Sequence, residues 1–298
     1  MRVLIVGCGY VGLPLGAELA RQGHEVFGLR RSALAEAEMK TAGITPLHAD
    51  ITQPETLAKL PRGFDWVVNC TASGGGSVED YRKIYLKGNA NLIAWLADSP
   101  LKKFIYTSST SIYGQNDGSM VTEKSPVESA ADTAKVLVET ENLQLTAVAE
   151  RRFPVAILRV AGIYGPGRGH WFKQFLRGEA RIEGDGSRWL NMIHRDDLIG
   201  VIIAALRDAP PGEIFNAADH EPVTQLNFFK WLAAELNRPI PPSVPADSEA
   251  WRKRGVTNKR VSNAKLRAEL KYEFRHPDFR AGYAAEIARL KKDGGLDF

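Results

Sequence analysis

The chain has 298 residues, of which 44% are hydrophobic, enough for one large domain or two ordinary ones. Its net charge of +4 arises from 39 Lys and Arg against 35 Asp and Glu, a mixed balance unlike that of nucleic-acid-binding proteins. No signal-peptide pattern or membrane-spanning apolar run is visible, so we expect a cytoplasmic protein without a membrane partner. The two cysteines, Cys8 and Cys70, suit a reducing compartment and lack metal-ligand spacing, so no metal site is predicted.

The first thirty residues predict a strand, a glycine turn, a helix and a second strand. An apolar run at residues 3–6 leads into G-x-G-x-x-G, and helical spacing then continues to Arg21 before a strand at 24–29. In this motif the first glycine permits a tight turn, the second lets the backbone approach a pyrophosphate, and the third allows close helix–strand packing. The pattern predicts a dinucleotide site whose cofactor-binding residues include Gly7, Gly9, Tyr10, Val11 and Gly12.

The residues that end the second strand indicate which dinucleotide binds. Arg30 and Arg31 lie about twenty residues beyond the glycine turn, where the adenosine ribose is expected. A carboxylate there would bind the ribose of NAD and repel a 2′-phosphate, whereas guanidinium groups make charge-assisted contacts to phosphate. The sequence therefore predicts NADP as the cofactor. The alternative is that both arginines form an ordinary solvated basic pair.

Strands and helices continue to alternate along the chain. Further strands are predicted at 44–49, 65–72, 103–109 and 155–160, with helices at 80–98 and 129–149 between them. Pro46 favours an edge position for its strand, because proline lacks the N–H of a sheet ladder. The alternation predicts an α/β fold with a doubly wound parallel sheet.

The later part of the chain is more irregular and predicts a smaller lobe. Helices are expected at 171–176, 198–206, 225–236, 263–270 and 279–290, with a strand at 213–216. Thr224 and Ser262 are the predicted N-caps of the third and fourth of these helices. We expect residues 1–165 to form the dinucleotide-binding domain, with 191–218 returning to it. Residues 166–190 and 219–298 would then form a C-terminal substrate lobe.

Several motifs occur in a characteristic order. They are the glycine turn, Asp50-Ile51, Tyr106-Thr107-Ser108-Ser109 with Tyr113-Gly114, Leu158-Arg159, Tyr164-Gly165-Pro166-Gly167, Ile193-His194-Arg195-Asp196-Asp197 and Ser262-Asn263-x-x-Leu266. With them the chain resembles the extended short-chain dehydrogenase/reductase superfamily, which includes NAD(P)-dependent sugar-nucleotide epimerases and dehydratases. The resemblance implies a Rossmann sheet with Asp50 at the adenine amino group, Ala72 beside the cofactor, and a C-terminal lobe that closes over a small-molecule substrate.

The resemblance also assigns catalytic residues. Members of this superfamily use a Tyr-x-x-x-Lys pair on one helix face, in which lysine lowers the pKa of the tyrosine and holds the nicotinamide ribose. A serine or threonine hydrogen-bonds the reacting oxygen. Ser109 matches this serine and Lys135 matches the lysine, but the tyrosine position is Ala131, which cannot transfer a proton. Tyr113, Tyr164 and Tyr85 are the candidates for a replacement hydroxyl.

Two further departures bear on the substrate. Gly162 stands where relatives carry an asparagine, and Leu190 stands where many carry an arginine that grips a nucleotide diphosphate. Binding of a sugar nucleotide is therefore in doubt. Arg188 would share a strand face with Leu190 and could replace that arginine, and Arg168 and His170 are further candidates.

Three functions compete at this point. The first is an NADP-dependent oxidoreductase or epimerase-like enzyme that lacks the usual catalytic tyrosine and has an unknown substrate. The second is a non-catalytic NADP(H)-binding sensor or regulatory module that signals through a protein partner. A nucleic-acid-binding role for Arg252-Lys253-Arg254 is disfavoured, because an isolated basic triplet is usually a solvated helix end. The sequence leaves open whether the chain forms a homodimer.

Overall fold

A computed structural model describes residues 1–74, 76–128, 131–245 and 257–292. Its strands, in chain order, are β1 Arg2–Val6, β2 Glu25–Arg30, β3 Ile44–His48, β4 Trp66–Asn69, β5 Lys103–Ser109, β6 Met120–Val121, β7 Val155–Val160, β8 Gly162–Tyr164, β9 Ile182–Glu183, β10 Trp189–Leu190, β11 Met192–His194, β12 Ile214–Ala217, β13 Val223–Thr224, β14 Ser243–Val244 and β15 Arg260–Val261.

The α-helices are α1 Gly12–Arg21, α2 Glu36–Thr41, α3 Pro54–Leu57, α4 Val78–Tyr81, α5 Gly88–Leu96, α6 Asp132–Arg151, α7 His170–Leu176, α8 Arg195–Asp208, α9 Gln225–Leu236, α10 Ala264–Leu270 and α11 Phe279–Lys292. A π-helical stretch, Arg82–Lys87, joins α4 to α5, so the helix predicted over 80–98 is one continuous helical segment from Val78 to Leu96. The predicted start of α6 at residue 129 lies outside the described residues. Among those residues, no helix is both long enough and apolar enough to span a bilayer.

Seven strands form a parallel sheet in the order β12-β7-β5-β4-β1-β2-β3. The central strands are buried on both faces, as their continuous apolar runs require. Helices α1, α8 and α10 pack on one face around Ile5, Leu158 and Ile202, while α3, α5 and α6 cover the other face. This is a doubly wound α/β sheet of the Rossmann type, and the predicted fold class is confirmed.

A smaller C-terminal lobe has its own hydrophobic cluster, which is rich in aromatic side chains. Its fully buried members include Phe228, Phe229, Phe279 and Tyr283. Short strand pairs, such as β8 with β11 and β15 with β6, connect this part of the chain to the ends of the main sheet. The assignment of 1–165, 191–218, 166–190 and 219–298 to two domains stays a prediction.

The sequence predicted one edge strand and the first residues of two helices from single residues. Strand β3, which contains Pro46, lies at the edge of the sheet. Thr224 caps α9, with its hydroxyl oxygen accepting from the Asn227 N–H at 3.3 Å. Helix α10 begins one residue later than predicted, so its N-cap is Asn263 and the prediction of Ser262 as the N-cap is wrong, although the Ser262 hydroxyl accepts from the Ala264 N–H at 3.3 Å.

Candidate functional site

A cleft of about 790 Å³ runs along the carboxyl ends of the parallel strands. Arg30 and Asp50 line one end, the glycine turn and Ser109 line the middle, and Arg188 and Lys259 line the far end. Open α/β sheets bind ligands in this position, because the connections on either side of the switch point leave a crevice there.

The three glycines of the turn have different surroundings. Gly7 has a φ of 88°, and a Cβ at this position would lie 2.8 Å from the Thr71 nitrogen. A Cβ at Gly12 would lie 2.4 Å from the Gly7 carbonyl oxygen, so this glycine is required for close packing. A Cβ at Gly9 would meet nothing within 4 Å. The turn is therefore closely packed at Gly7 and Gly12 and open at Gly9, which fits a pyrophosphate at the start of α1.

The other residues predicted to hold the cofactor also line the cleft. They are Tyr10, Val11, Arg30, Arg31, Asp50 and Ala72. Asp50 is fixed locally, because its Oδ1 atom accepts from the Thr52 N–H at 2.9 Å and from the Thr52 hydroxyl at 2.8 Å. The positions of these side chains fit a bound dinucleotide, and their individual roles stay predictions.

Two guanidinium groups lie close to the ring of Tyr10. The Cζ atom of Arg168 is 4.9 Å from the Tyr10 ring centroid, and that of Arg195 is 5.3 Å from it. Arg195 also donates to Asp196 at 2.9 Å, whereas Arg168 lines the cleft from the loop before α7. Arg168, which comes from the later part of the chain, thus lies over the Tyr10 ring of the glycine turn.

Ser109 ends β5 and lies in the cleft, as predicted. Its Oγ atom accepts from the Ser111 N–H at 3.2 Å and caps the 3₁₀ turn Thr110–Ile112. The neighbouring Ser108 points to the opposite side of the strand, where its hydroxyl donates to Glu141 at 2.6 Å. The alternation of side chains along β5 therefore puts the Ser108 and Ser109 hydroxyls on opposite sides of the strand.

Lys135 does not lie where the resemblance places it. Its side chain is 57% exposed, and Nζ donates to Asp132 at 2.8 Å instead of facing the cleft. The inward face of α6 carries Ala134, Leu137 and Glu141. Lys135 lies two residues before Leu137 and therefore points about 200° away from it around the helix axis. The structure therefore does not bring Lys135 together with Ser109.

The three candidate tyrosines have other partners. The Tyr113 hydroxyl is buried, donates to Asn216 at 2.8 Å and accepts from Arg159 at 2.9 Å. Tyr164 lines the cleft, but its hydroxyl donates to the Asp278 carbonyl at 3.3 Å, and burial raises its pKa far above the usual range. Tyr85 lines the cleft as well, and its hydroxyl accepts from the Ser73 N–H at 3.3 Å.

The residues considered for substrate binding also line the cleft. They are Gly162, Leu190, Arg188, Arg168 and His170. Arg188 donates to the Thr257 carbonyl at 3.3 Å and to Glu183 at 3.4 Å. The cationic replacements proposed for the missing arginine are thus in the cleft, and their roles stay predictions.

Lys259, which lines the far end of the cleft, was not predicted as a site residue. This lysine is only 4% exposed, and its Nζ atom donates to the Tyr113 carbonyl at 3.0 Å. Burial, together with the nearby Arg188, lowers the pKa of Lys259 to about 8. The one signal in the sequence is its position just before the Ser262-Asn263 motif, and that position does not predict burial.

A cluster of His194, Asp197 and His276 was also not predicted. Its potential ligand atoms lie within 4.8 Å of one another, which is compatible with a metal ion. However, the buried Asp197 carboxylate already accepts four hydrogen bonds, from the Tyr272 hydroxyl, the Arg275 N–H, the His276 N–H and the His276 ring. We therefore assign the carboxylate a structural role that ties the start of α8 to residues 272–276.

The sheet, the glycine turn and the cleft define a dinucleotide-binding α/β protein. The model of the NAD dependent epimerase/dehydratase family matches residues 3–218, and the chain belongs to this family.

Two curated relatives and one solved structure illustrate the similarity. The chain is 27% identical to protein YeeZ of Escherichia coli K12, over 93% of this chain and 97% of YeeZ. It is 26% identical to 2-alkyl-3-oxoalkanoate reductase of Shewanella oneidensis, over 80% of this chain and 66% of that protein. A Methylobacillus flagellatus structure, provisionally described as an NAD-dependent epimerase/dehydratase, is 32% identical with a TM-score of 0.77, covering 97% of this chain and 98% of the other.

Proposed function

We propose that this protein is an NADP(H)-dependent oxidoreductase that acts on a small carbonyl compound or its alcohol without the tyrosine of its superfamily. The observation that carries the choice of cofactor is the pair Arg30 and Arg31, both of which line the cleft where β2 ends. Two guanidinium groups favour a 2′-phosphate, and neither position offers a carboxylate for an unmodified ribose.

Residues of the chain have distinct roles in this proposal. Backbone N–H groups of the glycine turn and the start of α1 hold the pyrophosphate, and Asp50 binds the adenine amino group. Ser109 donates to the carbonyl oxygen and orients it. The nicotinamide, when bound, supplies or accepts a hydride. The name of the Shewanella relative, a reductase of an oxo acid, supports carbonyl chemistry.

A non-catalytic NADP(H) sensor is the second candidate. It is favoured by the position of Lys135, which lies outside the cleft, and by Ala131 at the tyrosine position. In that case the C-terminal lobe would report cofactor binding to a protein partner.

The test has two parts. Calorimetry with NADPH and NADH should show tighter binding of NADPH, and equal affinities would contradict the choice of NADP. NADPH oxidation should then be followed by absorbance with a panel of aldehydes, ketones, oxo acids and sugar nucleotides. Turnover of at least one compound supports the oxidoreductase, whereas binding of NADPH without any turnover supports the sensor.

A further inference from the structure

The ammonium group of Lys259 is anchored on the turn that carries Ser109. Ser109 caps the 3₁₀ turn Thr110–Ile112, and Tyr113 follows this turn directly. The Tyr113 carbonyl accepts a hydrogen bond from Nζ of Lys259 at 3.0 Å. Both residues line the same cleft, and the turn 110–113 connects them, because Ser109 caps its start and Lys259 hydrogen-bonds to its last residue.

The backbone around Lys259 is held from several sides. The strand that follows it, β15, pairs with β6, and Asn191 donates to the Lys259 carbonyl at 2.9 Å while accepting from the Val261 N–H at 2.7 Å. The Asn191 carbonyl in turn accepts from the Gly162 N–H at 3.1 Å. A Cβ at Gly162 would lie 3.1 Å from this carbonyl oxygen, so the glycine allows the two backbone segments to approach closely.

The electrostatic setting of Lys259 suits proton transfer. Among the described residues, Nζ has one hydrogen-bond partner, a neutral carbonyl, and no carboxylate pairs with it. Arg188 is the charged group that faces it. Burial is the main cause that lowers the pKa of Lys259 to about 8, and the charge of Arg188 is a smaller cause. An amine with this pKa is mostly protonated at neutral pH and still gives up its proton readily.

Three other acidic groups of the cleft, the Tyr164 hydroxyl and the two thiols, are less suitable. The hydroxyl of Tyr164 donates to a backbone carbonyl and lies in the aromatic cluster of the C-terminal lobe. Burial raises the pKa of Cys8 to about 11 and that of Cys70 to about 12, and both thiols lie near the glycine turn. Neither cysteine therefore provides a proton at the substrate end near neutral pH.

We propose that Lys259 is the proton donor of this enzyme, in place of the phenol that position 131 lacks. The inference rests on the proposed reductase function. In the reduction, the carbonyl carbon gains a hydride from the reduced nicotinamide and the oxygen gains a proton from Nζ, so that an alcohol and the oxidised cofactor form. The neutral amine of Lys259 then takes a proton from water, and Ser109 orients the oxygen throughout.

The test uses the full-length protein, NADPH and the best carbonyl substrate of the panel, with three variants and, for chemical rescue, a fourth, Lys259→Ala. Lys259→Met removes the proton, Lys259→Arg keeps the charge but releases no proton at assay pH, and Arg260→Met is the matched control. Arg260 is the next residue along the chain, and it likewise donates to one backbone carbonyl, that of Gly118, at 3.0 Å. It anchors the same part of the chain without lining the cleft.

For Lys259→Met and Lys259→Arg we expect kcat to fall by roughly 10²- to 10⁴-fold, with an unchanged Kd for NADPH. Arg260→Met should keep kcat within a few-fold of the unmodified protein. The unmodified enzyme should lose kcat as the pH rises through the pKa of Lys259, and methylamine should partly restore the rate of Lys259→Ala.

Two results would overturn the role of Lys259 alone. One is full kcat in Lys259→Arg with only KM raised in Lys259→Met, which would assign the ammonium to binding an anion. The other is an equal loss of kcat in Arg260→Met, which would assign the lysine to anchoring the backbone. No turnover by the unmodified protein, despite NADPH binding, would instead overturn the proposed function and this inference together.

Discussion

The carboxylate of Glu141 and the guanidinium of Arg159 form an ion pair inside the protein, with a shortest N–O distance of 2.8 Å and side-chain exposures of 3% and 5%. Glu141 lies on α6 and Arg159 on β7, so the pair fixes how the helix is rotated against the sheet. Ser108 and Tyr113 complete the hydrogen bonding around it. Loss of one partner would leave an uncompensated charge in the core.

Glu141→Ala should therefore lower the free energy of unfolding by about 3–5 kcal/mol, measured by urea denaturation. Glu139→Ala is the matched control on the same helix, because Glu139 pairs with Arg82 at 2.7 Å with both side chains more than 40% exposed. Exposed pairs contribute roughly 0–1 kcal/mol. Similar losses of unfolding free energy in the two variants would show that the buried pair of Glu141 stabilises the protein no more than an exposed pair does.

Gly9→Val should abolish dinucleotide binding and leave the fold intact, since its side chain would enter open space above the turn where the pyrophosphate is expected. Gly12→Val is the contrasting variant, because its Cβ would approach the Gly7 carbonyl at 2.4 Å and destabilise the fold. Thermal denaturation and NADPH calorimetry should separate the two effects. Normal NADPH binding by Gly9→Val would contradict the assignment of the turn.

The double variant Arg30→Ala, Arg31→Ala should lose most of the preference for NADPH over NADH. A hydrogen bond to a charged group contributes about 1.5–3 kcal/mol, so removing each such bond to the 2′-phosphate should weaken NADPH binding by roughly 10- to 150-fold. NADH affinity should change little. Arg21→Ala controls for net charge, because Arg21 is exposed and pairs with Glu18 on α1. An NADPH preference that survives in the double variant would place the selectivity elsewhere.

His194 should make the stability of the protein sensitive to acid. Burial, and next the neighbouring His276, lower the pKa of His194 below its usual value, so the unfolded chain takes up a proton that the folded chain resists. The free energy of unfolding should therefore fall as the pH drops below about 6.5. His194→Asn keeps an acceptor for the Asp196 N–H at the start of α8 but does not titrate.

Urea denaturation at pH 7 and pH 5 should show a smaller loss for His194→Asn than for the unmodified protein. Asp196, Asp197 and Arg195 face the same ring and remain in both proteins, so their effects cancel in the comparison. Identical losses in the two proteins would show that another group controls the response to acid.

The sequence predicted the features that depend on local chemistry. Pro46 indicated an edge strand because it lacks an N–H, and Thr224 indicated the start of α9 because its hydroxyl can cap a helix. The glycine turn predicted the cleft, because its three positions have steric requirements that few other local structures share.

Features that depend on tertiary contacts were not predictable. A spacing of four placed Ala131 and Lys135 on one face of the helical pattern, but it could not show which face meets the sheet. The buried partner Arg159 decides that, and it holds Glu141 inward while Lys135 faces solvent. Lys259 was missed for a related reason, since its burial depends on residues 113, 188 and 191, far away in sequence.

The four hydrogen bonds that Asp197 accepts also have a consequence for protein synthesis. Asp197 lies near the start of α8, and all of its donors belong to residues 272–276. During synthesis, the Asp197 carboxylate is bonded only by water until residues 272–276 are made, roughly 4–16 s later at typical elongation rates. Helix α8 can therefore reach its final, fully bonded place on the sheet only after residues 272–276 have been synthesised.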